Sequence, residues 1–186
     1  MTSDEFSPSP MHHVTAETSS DGRETLVFVR VLDHPVEAVW AALVEPAQLN
    51  QWAPFVSDRP LDSTGPATLS HIDRDIVEDA PAPVLRAEPM SVLEYLWDRD
   101  LIRWELEPSG AGTALTLRHT VAEPDVIADV AGGWHLCLDV VDRLLAGRPV
   151  GAIRGQDAMQ HGWRDLRDAY ARRLGVTADS PAEHPG

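Results

Sequence analysis

A helical stripe in residues 125–146 constrains the fold of this chain more than any other stretch. Val130, Trp134, Cys137, Leu138, Val141, Leu144 and Leu145 recur at spacings of three and four and share one broad face, whereas Asp129, Asp139, Asp142 and Arg143 fall largely elsewhere. Burying five or more large side chains is worth on the order of 10 kcal/mol gross, at roughly 1.5–3 kcal/mol each. Such a helix is a main anchor, and the rest of the chain has to supply the surface it lies on.

The remaining segments read as that surface. Residues 24–32 (ETLVFVRVL) are dense in branched and aromatic side chains between Asp21-Gly22 and Asp33-His34-Pro35, which predicts a strand. Pro35 suits a first helical turn, and Val36, Val39, Trp40 and Leu43 follow at helical spacing to about Val44. A second short helix is expected over 47–52, before Ala53-Pro54. From Pro66 the pattern changes to short alternating runs at 67–72, 84–88, 92–97, 101–107 and 113–121, each bounded by proline, glycine or aspartate. Close spacing implies an antiparallel meander. Leu93, Tyr95 and Trp97 share one face, as do Ile102, Trp104 and Leu106, and Leu115, Leu117, His119 and Val121, with Glu94, Arg103, Glu105, Thr116 and Arg118 pointing away. A last helix is expected over 158–174, with Met159, Trp163, Leu166, Tyr170 and Leu174 in line and Gly175 at its C-terminal stop.

Length and composition set the outer bounds. A chain of 186 residues with 43% hydrophobic content supports one sizeable core, so a single domain is expected at 23–175. Residues 1–22 and 176–186 are polar and without periodicity, and are expected to be disordered tails. All 15 basic residues are arginine, and 30 acidic residues leave a formal net charge of -15, a field that repels nucleic acid and anionic lipid. The absence of a long apolar run or a basic leader implies no membrane insertion and a cytoplasmic location. Cys137 is the only cysteine and sits on the apolar stripe, which reads as a small buried hydrophobe and excludes an internal disulfide.

Strand, two short helices, antiparallel meander and long C-terminal helix together resemble the helix-grip fold of the START-like (SRPBCC) superfamily, an α+β class with a curved sheet of about six strands around the last long helix. RVLDHPVEAVWAAL followed by PAQLNQW resembles the opening of the branch related to the activator of the heat-shock-protein-90 ATPase. WELEPSGAGTALTLRHT resembles its last hairpin, and GGWHLCLDVVDRLLAG its closing helix. Ser63-Thr64-Gly65-Pro66 replaces the glycine-rich, basic start usual for the second strand, and residues 73–83 form an acidic insertion, so the loops at the mouth depart from the pattern. The motifs are motifs of fold, and no catalytic set, cofactor or metal comes with them.

The resemblance implies a gap between sheet and helix in which similar proteins often hold an apolar small molecule. Trp52, Phe55, His71, Tyr95, Trp97, Trp104, His119, Trp134 and Leu138 are the residues expected there, with ordinary core packing as the alternative for each, while Trp40 reads as structural. His119 is in phase with Leu115 and Leu117 and should face inward, where a satisfied core histidine and an acid-base group are both open readings. His71, in phase with Leu69, and Tyr95 are the other candidates for chemistry. His135 lies one step off the helical stripe, and His12, His13, His161 and His184 show no ligand spacing, so no metal site is expected.

Three functions fit this pattern: a binding protein for an apolar or aromatic small molecule, a cyclase/aromatase-type enzyme using inward histidine and tyrosine, and a protein-interaction module of co-chaperone type. The expected partner is an apolar ligand, and a homodimer is left open.

Overall fold

Residues 6–177 are described by a computed structural model, and the expected tail residues 1–5 and 178–186 lie outside the described residues. Strands β1 (His13–Thr18) and β2 (Glu24–Leu32) precede helices α1 (Val36–Val44) and α2 (Pro46–Trp52). Strands β3 (Phe55–Ser57), β4 (Thr68–Asp73), β5 (Ile76–Pro81), β6 (Val84–Glu88), β7 (Val92–Trp97), β8 (Asp100–Ser109) and β9 (Gly112–Val121) follow, and α3 (Ile127–Leu145) and α4 (Trp163–Leu174) close the fold.

Six strands make one antiparallel sheet in the order β1-β2-β9-β8-β7-β6, and α3 lies against β2, α1, α2 and α4. This is the helix-grip arrangement. The alternation read from the sequence holds across most of it: Leu93, Tyr95, Ile102, Trp104, Leu106, Leu115, Leu117, His119 and Val121 are buried, and of their neighbours along β7, β8 and β9 only Val92 is buried too. Trp40 is a buried member of the core under the sheet, as expected. No helix among the described residues is long and apolar enough to cross a membrane.

The sheet has the expected number of strands but not the expected members. The run at 67–72 belongs instead to a second, three-stranded sheet, β3-β4-β5, whose outer strand is the acidic insertion expected to be a loop. Ile76 and Val77 stay exposed on that edge, so β5 forms by backbone pairing to β4 rather than by burial. The sixth place in the main sheet is taken by β1, which corrects the expectation that residues 1–22 are a disordered tail outside the domain. β1 pairs with β2 in the register Val14↔Phe28, and Val14 is fully buried. Its alternation is carried by Val14 and Ala16 alone, too little for a periodicity reading, and side chains before the strand do the anchoring.

That anchoring also changes the reading of α3. Asp139 and His135, expected off the packed face, are buried. Ser9 donates to Asp139 through its backbone N–H and its hydroxyl, each at 2.7 Å, and Arg30 of β2 donates to the same carboxylate at 2.6 Å. The helix is therefore covered on a second side by the N-terminal arm. The last helix is shorter than expected, because Gly162 at φ +83° interrupts it, and Gly155–His161 is a 3-10 segment. Met159 consequently leaves the line of Trp163, Leu166, Tyr170 and Leu174.

Candidate ligand-binding cavity

Where α3 departs from the open end of the sheet, a cavity of about 280 Å³ remains between the helix, the ends of β7 and β9, strand β4 and the α3–α4 connection. The helix contributes Val130, Gly133, Trp134, Leu136 and Cys137, the sheets contribute Trp97, His119 and His71, and the connection contributes Ile153, Arg154, Ala158 and Met159. Two glycines side by side in α3 explain part of this shape. A Cβ on Gly132 would lie 3.2 Å from the Arg167 backbone nitrogen and 3.3 Å from Nε1 of Trp163, so Gly132 lets α4 come close. A Cβ on Gly133 would meet nothing within 4 Å, so Gly133 leaves room in the cavity.

Of the nine expected residues, His71, Trp97, His119 and Trp134 line the cavity. Trp52, Phe55, Tyr95, Trp104 and Leu138 do not line it; they are fully buried core. The aromatic members nevertheless form one continuous stack. Trp52 meets Trp104 edge-on at 6.1 Å, Trp104 meets Trp134 at 5.3 Å, and Phe55 joins Tyr95 at 6.2 Å to Trp97 at 4.9 Å. The inner rings are thus the floor on which the outer ones stand, and T-shaped pairs of this kind add roughly 0.5–1.5 kcal/mol each beyond burial.

The polar atoms on the wall are mostly committed. Trp134 donates its indole N–H to Nδ1 of His119 at 2.8 Å, which requires that nitrogen to be unprotonated. Nε2 then carries the proton and donates to Asp100 at 2.7 Å. Asp100 starts β8 after a two-residue turn in which Asp98 adopts φ +53°, a conformation aspartate tolerates, and its other oxygen accepts from the Ala122 N–H at 2.7 Å. Desolvation opposes ionisation of Asp100, but the bonds from His119 and Ala122 outweigh it and hold its pKa below the ordinary carboxylate value. His119 is accordingly an inward, satisfied histidine with both ring nitrogens in use.

His71 is different. Its Nδ1 faces the Pro54 carbonyl at 3.2 Å and must be the donor, while Nε2 bonds to no described residue. Tyr95 accepts from the Trp104 indole at 3.2 Å, and burial pushes its phenol well above the ordinary value, so it is a packing residue rather than a proton donor to the cavity. Burial likewise pushes the Cys137 thiol up to about 12, against a smaller opposing effect of Arg154, which keeps it a hydrophobe as expected.

Sequence reasoning missed the third wall. Arg154 pins the α3–α4 connection onto the end of α2, donating to the carbonyls of Ala53 at 2.8 Å, Asn50 at 3.0 Å and Phe55 at 3.5 Å. Asp73 of β4 accepts from the Gln156 N–H at 3.1 Å and fixes the same connection from the other side. The Gly132-Gly133 pair inside a helical stripe was the one available signal, since each helical glycine costs about 1 kcal/mol relative to alanine and calls for a reason.

A second polar cluster lies outside the cavity. His12, His135 and Asp139 come within 4.8 Å of one another, an arrangement the sequence spacing conceals. Its donors and acceptors are engaged by protein: His135 takes the Tyr170 hydroxyl on Nδ1 at 2.7 Å and faces the Ser9 carbonyl with Nε2 at 3.1 Å, and Arg30 occupies Asp139. The cluster reads as the clasp of the N-terminal arm.

Comparison with solved structures supports the same architecture. CalU16 from Micromonospora echinospora is 21% identical with a TM-score of 0.63, over 87% of this chain and 96% of that one. A protein encoded by gene BPP1335 of Bordetella parapertussis is 23% identical with a TM-score of 0.64, over 98% and 100%. An AHSA1-like protein from Aeromonas hydrophila is 18% identical with a TM-score of 0.58, over 66% and 92%. A search of curated protein sequences finds no match. The family model described as activator of Hsp90 ATPase homolog 1-like protein matches residues 33–146, more than half of the chain, from the turn before α1 through the end of α3, and the protein belongs to that family.

Proposed function

We propose that this protein binds an apolar small molecule in the cavity beside α3 and performs no chemistry on it. The observation that carries the reading is a half-open cavity of about 280 Å³ walled mainly by tryptophan, aliphatic and glycine positions. A dry cavity of about 150 Å³ accommodates benzene, so this one suits a ligand of roughly two fused rings or a comparable alkyl chain. A binding protein needs only such a volume. The cyclase-type alternative needs two inward polar groups free to exchange protons, and the commitment of His119 and the sealing of Tyr95 leave His71 by itself.

The test exploits Gly133. 1-Naphthylamine should bind with a single site and quench emission from Trp97, Trp134 and Trp163, which all line the cavity. Gly133→Phe should abolish binding because its ring enters the empty volume, whereas Gly133→Ala should preserve it. Unchanged binding by a folded Gly133→Phe protein would place the probe elsewhere and end the proposal.

A further inference from the structure

The polar side chains of the cavity wall are His71, His119 and Arg154. Arg154 is the charged side chain in it, half-buried where the α3–α4 connection meets the end of α2. Every hydrogen bond it makes among the described residues goes to a backbone carbonyl, and Nη1 donates to none of them. No carboxylate among the described residues pairs with it, although the chain carries 30 acidic side chains against 15 basic ones. Most other arginines with resolved contacts find one: Arg30, Arg74, Arg86, Arg99, Arg103, Arg118 and Arg167 each bridge to aspartate or glutamate. Partial burial lowers the Arg154 pKa from the ordinary guanidinium value.

A guanidinium in such a place presents a fork suited to a carboxylate, and the low polarity around it strengthens the pair. The surrounding field does not supply this selectivity, since the hollow on the neighbouring side of Trp97 and His71 is lined by Glu78, Asp79 and Asp98.

We propose that the ligand is an amphipathic monoanion, an aromatic or alkyl body of about ten to twelve carbons ending in a carboxylate that pairs with Arg154. This rests on the cavity being the binding site and adds the chemical class of what enters it. The apolar body lies against Trp97, Trp134 and Gly133, and the carboxylate takes the place that no protein acid fills.

Isosteric probes separate the two ideas. 2-Naphthoate and 2-naphthamide share one apolar body and differ in charge, and their affinities can be compared by calorimetry near neutral pH, where carboxylate and guanidinium are both ionised. The full chain should bind the naphthoate at least about tenfold more tightly than the amide, equivalent to about 1.4 kcal/mol. Arg154→Gln should reduce that ratio to near one. Because it also removes the bonds to the Ala53, Asn50 and Phe55 carbonyls it should weaken both probes, so the ratio and not either affinity is read. If the variant binds neither probe, the ratio in the unaltered protein decides. Equal affinities in the unaltered protein, or a ratio that survives Arg154→Gln, would overturn the proposal and leave apolar binding standing. Binding of neither probe by the unaltered protein, or binding of both by Gly133→Phe, would instead remove the cavity reading itself. Should Arg154→Gln fail to fold, the ratio in the unaltered protein decides alone, a value near one or below it being fatal.

Discussion

Replacing His119 by phenylalanine would strand two polar groups: the Trp134 indole N–H, which donates to Nδ1 at 2.8 Å, and the Asp100 oxygen that accepts from Nε2 at 2.7 Å. A buried donor or acceptor left without a partner costs about 1–3 kcal/mol, so His119→Phe should lower stability by roughly 2–3 kcal/mol in urea melts even though a ring of similar size replaces a ring. His71→Phe removes one bond to the Pro54 carbonyl from a partly exposed position and should cost under about 1 kcal/mol. Equal losses for the two would mean that the Asp100–His119–Trp134 chain does not stabilise the fold. The inward direction of His119 was legible from its phase with Leu115 and Leu117, because a period of two fixes the face. Its partners were not, since Asp100 and Trp134 reach it from another strand and from a helix, and no local pattern encodes that meeting. The same limit applies to the nine expected site residues: phase sorted the strand and α3 members among them onto the inner face, but nothing in the sequence separated the four at the cavity from the five sealed beneath it.

At the scale of elements, long periodic segments were readable and short or unusually anchored ones were not. α1, α3 and β7 to β9 lie close to where periodicity puts them because each buries a face wide enough to leave a pattern, whereas β6 buries Val84 alone and was marked by its bounding prolines Pro83 and Pro89. β3 has three residues, β5 is an exposed edge, and β1 is held by hydrogen bonds from its flank, so none of these carries a hydrophobic signature. The arm before β2 is consequently a structural part with a measurable effect. Ser9 and His12 engage Asp139, His135 and Tyr170, and Val14 fills the edge of the core beside Phe28. A chain beginning at Gly22 would expose Phe28 and the buried pair of His135 and Asp139 to water and remove Ser9 from both. It should lose several kcal/mol in thermal or urea unfolding, given roughly 1.5–3 kcal/mol for the apolar contact and about 1.5–3 kcal/mol for each hydrogen bond to a charged group. Unchanged melting would show that the arm is an ornament.

For the whole molecule, charge sets two opposed trends with pH. The formal net charge of -15 repels itself, so protonating exposed carboxylates on the way down from neutrality toward the isoelectric point near 4.7 relieves repulsion and favours the folded chain. Asp139 works in the other direction. Desolvation opposes its ionisation, but hydrogen bonds from His12, His135 and Ser9 outweigh that and hold its carboxyl well below the ordinary carboxylate range, and Arg30 sits 2.6 Å away. A carboxyl depressed in the folded state contributes stability that is fully present above its unfolded pKa of about 3.9 and is lost progressively as pH falls below it, because the unfolded chain then binds a proton that the folded one refuses. Stability should therefore hold or rise slightly from neutral pH to about 5 and drop steeply below about 4. Asp139→Asn isolates the second trend. At neutral pH it leaves Arg30 with only Asp142 as its acidic partner and should cost about 3 kcal/mol, as breaking a buried pair does. Measured against the unaltered protein in urea melts across pH, that difference should stay constant above about pH 5 and shrink toward zero in acid, since the protonated aspartate and the asparagine are then alike in charge. A difference that stays flat into acid, or grows, would mean that the clasp of the N-terminal arm is not held by an ionised Asp139.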